Sequence, residues 1–277
     1  PERVPYRPVV GFQPRISDAE IITLAVMGAL RGHTNESQWL RHAKTHLTSY
    51  FPYIPNQPGY NKRLRKLAET IDWVRGRLAR STDAWSDGVW LADSTPVETA
   101  RSRPTVKRTD LAGDAQYGYC ASHTRYFYGF RLHLLATLSG LVVGYALTGA
   151  KADERATLLS ILSGLERRPG QTLIADMGYH GRGFEQALAS EDIVLIRKAR
   201  KRERPRPGAR FLKPLRQVIE SVNATLKTQL DIERLRAKTI RGLISRVATQ
   251  LLALTAAVWH NERSGAPVLR SLTAYDH

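Results

Sequence analysis

Two short apolar runs that each end in aspartate constrain this chain more than any other feature: Gly-Val-Trp-Leu-Ala-Asp at 88–93 and Thr-Leu-Ile-Ala-Asp at 172–176. Both are too short for a helix, and both read as strands buried on two faces, the pattern of strands inside a mixed or parallel sheet. A carboxylate at the carboxyl end of such a strand falls where α/β sheets hold their ligands. Phe127–Leu138 and Leu141–Leu147 flank Ser139-Gly140 and predict a hairpin. The spacing of Leu158, Leu159, Leu162 and Leu165 predicts a helix over Asp153–Leu165. A helix over 181–190, a strand at Ile193–Ile196, a long helix from Leu215 to Leu230 and a last amphipathic helix through Ile240, Leu243, Ile244, Val247, Leu251 and Leu254 follow. Residues 98–123 are polar, basic and rich in Gly and Tyr, and read as a long loop. Strand, hairpin, helix, strand, helix, strand and helices predict an α/β fold with a mixed five-stranded sheet flanked by helices.

The residues before this pattern are helical. Ser17-Asp18-Ala19-Glu20 is a capping box. A second helix is expected from Asn35 to Leu47, and Pro52, Pro55 and Pro58 then enforce a loop. From Tyr60 to Arg80, Leu64, Leu67, Ile71, Val74 and Leu78 recur at helical spacing and predict one helix. Its other faces carry Lys62, Arg63, Arg65, Lys66, Arg75, Arg77 and Arg80 against Glu69 and Asp72. A solvated face accounts for an ordinary charge run, but this excess favours phosphate contact. The 277 residues therefore divide into a helical part, 1–85, and an α/β part, 86–277, and the resemblance described below implies DNA binding and dimerisation for the first and catalysis for the second.

Charge sharpens the question of partners. The chain carries 42 Lys and Arg against 25 Asp and Glu, a net charge of +17, which concentrates polyanions at its surface. With 42% apolar residues it is a folded protein and not a basic tail. The single cysteine, Cys120, excludes an internal disulfide and a four-thiolate zinc site, and fits a reducing compartment. The longest apolar runs, such as Leu251–Trp259, are too short to span a bilayer, and Pro1–Val10 has no apolar signal core. A cytoplasmic protein without a membrane partner is expected.

Asp93 and Asp176 at the ends of neighbouring strands would lie side by side, where ionised carboxylates are costly unless a cation neutralises them. Hard oxygen donors select Mg²⁺ or Mn²⁺, and a pair of such ions can activate water and stabilise the leaving oxygen of a phosphodiester. The plainer alternative is that each Asp caps a helix or turn. On the predicted helix 215–230, Arg216, Glu220, Asn223 and Lys227 share one face, while Val218, Val222 and Leu226 can pack on the sheet. Between the last strand and this helix, Arg197–Arg210 holds eight Lys or Arg against Glu203 alone, and is expected to clamp phosphates through Arg197, Lys198, Arg200, Lys201, Arg202 and Arg204.

The wording of these segments resembles the DDE transposases of bacterial insertion sequences. Leu91-Ala92-Asp93-Ser94-Thr95-Pro96-Val97 resembles their first catalytic motif, and Ile174-Ala175-Asp176-Met177-Gly178-Tyr179 their second. Arg216, Glu220 and Lys227 are similar to the third, with Lys213 where that motif has Tyr. Phe127-Tyr128-Gly129-Phe130-Arg131-Leu132-His133 is also similar to a strand of such enzymes. The resemblance implies an RNase H-like domain in which Asp93, Asp176 and Glu220 hold two Mg²⁺ ions, with Mn²⁺ as a substitute. It implies cleavage at terminal inverted repeats and strand transfer into target DNA, without a covalent protein–DNA link. The expected partner is double-stranded DNA, both ends and target, bound by a homodimer on the nucleoid. The alternatives are an RNase H-like nuclease without strand transfer and a catalytically inactive DNA-binding descendant.

Other constellations point less far. Glu98 is expected to be a solvated loop carboxylate, Asp153-Glu154 to serve a helix N-terminus, and Tyr179 to pack or touch phosphate. His42 and His46 lack the Glu of a His-Glu-x-x-His metalloprotease. His123, His133 and His180 lie near the proposed site without being needed by it. No phosphate-loop lysine motif and no Gly-x-Ser-x-Gly elbow is present, which excludes the corresponding nucleotide hydrolases and esterases.

Overall fold

The computed structural model describes residues 14–100, 102–120, 124–166, 169–208, 212–235 and 237–268. Four helices open it: α1 (Asp18–Leu30), α2 (Glu36–His46), α3 (Gln57–Lys66) and α4 (Ala68–Arg80). The capping box forms as its residues dictate, Glu20 N–H donating to the Ser17 hydroxyl and Ser17 N–H to the Glu20 carboxylate. The single helix expected over 60–80 is instead two, interrupted at Leu67. The apolar stripe runs through the break because Leu64, Leu67 and Ile71 all enter one core.

The sheet has six strands, not five. They are β1 (Val89–Ala100), β2 (Gln116–Cys120), β3 (Arg125–Thr137), β4 (Val142–Gly149), β5 (Gln171–Ala175) and β6 (Ile193–Ile196). β3 lies antiparallel to β1, and its other edge pairs with β2 along its first half and with β4 along its second. β5 runs parallel to β1 and β6 parallel to β5. The extra strand comes from the segment read as a loop: Gln116–Cys120 has little apolar content, and its pairing with β3 decides its conformation. β1 likewise runs past Asp93 to Ala100, because β3 pairs it throughout while β5 stops opposite Ala92. Beyond that point β1 lacks its parallel neighbour, and an edge of this kind tolerates Pro96.

Between the strands lie α5 (Arg103–Lys107), α6 (Glu154–Ser163), α7 (Arg182–Ser190), α8 (Leu212–Thr228) and α9 (Ile240–Ser264). α6 and α7 cover one face of the sheet, where Leu158, Leu162 and Leu188 pack with Trp90, Leu135 and Leu173. α8 covers the other, where Val218, Val222 and Leu226 meet Leu91, Leu132 and Ile174. α9 enters all three main cores: Leu243, Val247 and Leu254 against α8 and the sheet, Ala248 and Leu252 against the first helices, and Val258 behind the sheet. It is long and apolar enough to cross a membrane, which corrects the expectation that no segment is; 67% of its apolar window is buried within the protein's own core. Ile244, expected in its apolar stripe, is exposed.

Candidate functional site

The parallel pairing of β1 with β5 ends at Ala92 opposite Ala175, so Asp93, still within β1, and Asp176, the residue just after β5, come next on either side. Side chains alternate along a strand, and Asp93 follows the parity of Leu91 as Asp176 follows that of Ile174. Leu91 and Ile174 both pack under α8, so the two aspartates emerge on the α8 side of the sheet. Glu220 on α8 follows buried Ile219 and lies two residues from both Val218 and Val222, so it is turned away from their packed face. Asp93, Asp176, Glu220 and Lys198 line one cleft of about 490 Å³, floored by Leu91, Ile174 and Ile219. The three sequence-predicted carboxylates thus meet at one cleft.

Asp93 is held from two sides. Its Oδ1 accepts from the Ser94 N–H at 2.8 Å, and its Oδ2 accepts from the Asn223 side-chain amide on α8 at 2.7 Å. Asn223 is 8% exposed, so this bond between β1 and α8 is largely removed from water. Asp176 belongs to a loop anchored on both sides. Tyr179 is buried against Phe184, and the Arg155 guanidinium donates to the His180 carbonyl at 3.0 Å. Burial first, then the charges of Glu154 and Asp93, raises the Tyr179 phenol well above its usual range. A neutral buried phenol fits the expected packing role and is a poor nucleophile.

As placed, no three His, Cys, Asp or Glu side chains among the described residues converge tightly enough to hold an ion. The donor set nevertheless fits a hard divalent cation: three carboxylates from three elements around one cleft, with no sulfur or imidazole among its lining residues.

Glu154 is the neighbour that sequence reasoning missed. Asp153 caps α6 as expected, accepting from the Arg155 and Ala156 amides at 2.9 and 3.0 Å. Glu154 instead accepts from the Ser94 hydroxyl at 2.8 Å and forms an ion pair with Arg131. Arg131 also donates to Ser94 Oγ at 3.2 Å and to the Tyr119 carbonyl at 3.1 Å. The signal was available: by strand parity Ser94 and Arg131 face away from Asp93, toward α6. His133 on the same face is buried and bonded to Thr148, and burial lowers its pKa to about 4. Glu98, expected in solvent, has a side chain 6% exposed and is ion-paired with Arg125. His123 lies outside the described residues.

The cations divide. Lys62, Arg65 and Lys66 are exposed on α3. Arg63 is not a phosphate contact, because it turns inward to Asp18 and the Ile16 carbonyl. Arg197 is also spent internally: 3% exposed, it donates to Glu185 at 3.1 and 2.7 Å and to Glu203 at 2.8 Å. Arg206 bridges the same two carboxylates, and Arg197 is the main cause that holds Glu203 well below the usual carboxylate range. Glu185 belongs to α7, outside the basic strap Arg197–Arg210. Lys198 lines the cleft, and Arg200, Lys201, Arg202 and Arg204 are exposed on the strap. Lys227 pairs with Glu233 at 3.2 Å. The Arg216 and Lys213 side chains lie outside what the structure describes.

A sheet in which an antiparallel trio is extended by two parallel strands, with carboxylates where the central parallel pairing ends, is the mixed α/β arrangement expected above of an RNase H-like domain. The family model of the transposase DDE domain matches residues 84–256, well over half of the chain, and the chain belongs to that family. Members of that family work with divalent metal ions. No curated protein sequence matches the chain. Among solved structures, it is similar to one described as the crystal structure of a pre-cleavage Mos1 transpososome. That likeness has 12% identity and a TM-score of 0.23, covering 95% of this chain and 82% of the other.

Proposed function

We propose that this transposase cuts DNA at the terminal inverted repeats of an insertion sequence and joins the released ends to target DNA. The observation that carries the reading is the cleft in which β1, β5 and α8 present Asp93, Asp176 and Glu220 together. These three would hold two Mg²⁺ ions, with Mn²⁺ as a substitute. When bound, such ions activate water or a 3′-hydroxyl for attack on a phosphodiester and stabilise the leaving oxygen.

The chain's own residues do the rest. Asn223 and the Ser94 amide orient Asp93, and the Arg155–His180 and Tyr179 contacts fix the loop that carries Asp176. Lys198 in the cleft and the exposed strap cations Arg200, Lys201, Arg202 and Arg204 supply phosphate contacts for the strand being cut. Lys62, Arg65 and Lys66 on α3 add a second basic surface for the duplex beyond it. Two ends must meet for joining, so the working unit on DNA is a homodimer, and its place of work is the cytoplasm, on the nucleoid.

The test uses labelled DNA from both flanks of the coding sequence, with Mg²⁺ or Mn²⁺ at low salt, scored for discrete cuts and joined products. Wild type should cut at fixed ends and join them, and Asp176→Asn and Glu220→Gln should bind the DNA without cutting it. Cuts without joined products would favour a nuclease, and binding without cutting in wild type a DNA-binding descendant. Cuts that persist in both variants would mean that other carboxylates carry the reaction.

A further inference from the structure

Three of the large apolar side chains left exposed gather on one ribbon. Tyr117 and Tyr119 on β2 are 50% and 45% exposed, and Tyr126 on β3 is 79% exposed. Strand register explains the cluster, since Tyr119 lies opposite Tyr126 and Tyr117 opposite Tyr128. Alternation puts all four rings on one face, with centroids 5.1 Å apart in the first pair and 4.9 Å in the second. The ribbon's other face is fixed. Cys120, Phe127 and Ala150 form a small core there, and a Cβ on Gly118 would stand 2.7 Å from Ala150 and 2.8 Å from Phe127. Only glycine lets β2 lie this close, so the ribbon is pinned from beneath and displays its rings above.

The rings share the face of the sheet that carries the cleft. Tyr126, Tyr128, Phe130, Leu132 and Leu134 alternate along β3 on one side, and Leu134 is the partner of Asp93 in β1. At about 3.3 Å per residue the outer ring pair lies about 26 Å from the aspartate along the strand. Arg131 ties the Tyr119 carbonyl to Ser94, the residue after Asp93, so ribbon and cleft are parts of one sheet. The segment is cationic: residues 101–128 hold five Lys or Arg against Asp110 and Asp114, and Arg103 and Lys107 on α5 and Arg108 just after it are exposed.

Rigid, exposed aromatic faces among cations are what nucleic-acid strands with unstacked bases bind. A paired duplex offers only base edges and backbone, so a ring finds a base to stack on only where one has left the helix. We propose that Tyr119 and Tyr126 form a stacking platform for unpaired bases of the DNA strand that enters the cleft, an inference that rests on the DNA-cutting reading above.

The test compares binding, by fluorescence anisotropy at low salt without metal, of a DNA end carrying several unpaired nucleotides and of the same end fully paired. Wild type should bind the forked end about tenfold or more tighter, the scale of one or two stacked bases. The double variant Tyr119→Ala, Tyr126→Ala should lose this preference and keep its affinity for the paired end. Tyr119→Phe with Tyr126→Phe should retain the preference, since the ring faces remain. Paired DNA bound without a preference for the fork, or a preference that survives in the alanine variant, overturns the platform and leaves the DNA-cutting reading intact. Failure of wild type to bind either DNA overturns both. An alanine variant that sediments as a smaller species while its fork preference is unchanged would assign the rings to a contact between copies, and also overturns the platform.

Discussion

Gly129→Ala tests the register on which the site depends. Gly129 faces β1 where its pairing shifts between Glu98 and Ala100. A Cβ there would stand 2.2 Å from the Val97 carbonyl oxygen, 3.1 Å from the Thr99 nitrogen and 3.2 Å from the Glu98 Cα. All three are backbone atoms, so no side chain can swing aside and the strands must part. A carbon–oxygen contact of about 3.3 Å is comfortable, which asks for a separation of about 1 Å at this point. Overpacking of this kind costs about 1–3 kcal/mol. Loss of one or two ladder hydrogen bonds adds about 1 kcal/mol each, for a total of about 2–5 kcal/mol. Urea denaturation of wild type and variant reads this as a drop in midpoint at unchanged slope. A variant within about 0.5 kcal/mol of wild type, the range of ordinary surface changes, would refute the close approach of β3 to β1 at this register.

Leu226→Ala, at a fully buried position where α8 meets the sheet, should cost about 2–5 kcal/mol by the same denaturation. Asn223→Ala should leave the fold intact by circular dichroism yet slow single-turnover cutting about tenfold to a hundredfold, because Asp93 loses the donor that orients it. An unchanged cutting rate would show that Asp93 needs no such support. His133 is neutral in the fold, with its pKa lowered from 6.5 to about 4. The unfolded chain therefore takes up its proton first, and stability present above pH 6.5 is lost as the pH falls toward 4. The loss approaches about 3 kcal/mol, and His133→Gln should flatten this part of the urea-midpoint profile between pH 7 and 4.

What was legible in the sequence is what local pattern determines. The capping box, the Gly140 turn, the burial of Val218, Val222 and Leu226 and the end of β5 just before Asp176 all follow from periodicity and capping chemistry. The cleft followed as well, since strand ends and helix faces fix where Asp93, Asp176 and Glu220 emerge. What was not legible depends on distant partners. β2 is a strand because β3 pairs it, and no apolar alternation in Gln116–Cys120 announces that. Arg63 looked like a free cation because Asp18 belongs to another helix, and Arg197 because one of its two acids, Glu185, belongs to α7 while Glu203 alone could not offset eight cations. Glu154 looked like a helix-end charge until strand parity brought Ser94 and Arg131 to it.

The proposed cutting reaction requires Asp93, Asp176 and Glu220 to bind divalent metal together. Titration of Mn²⁺ into wild type, Asp93→Asn, Asp176→Asn and Glu220→Gln, followed by electron paramagnetic resonance of the free ion, addresses it directly. Wild type should bind the ion saturably, and each substitution should weaken binding about tenfold or more, the effect of removing one charged ligand from a shared site, with circular dichroism unchanged. Equal binding by all four proteins would place the metal elsewhere and overturn the three-carboxylate site.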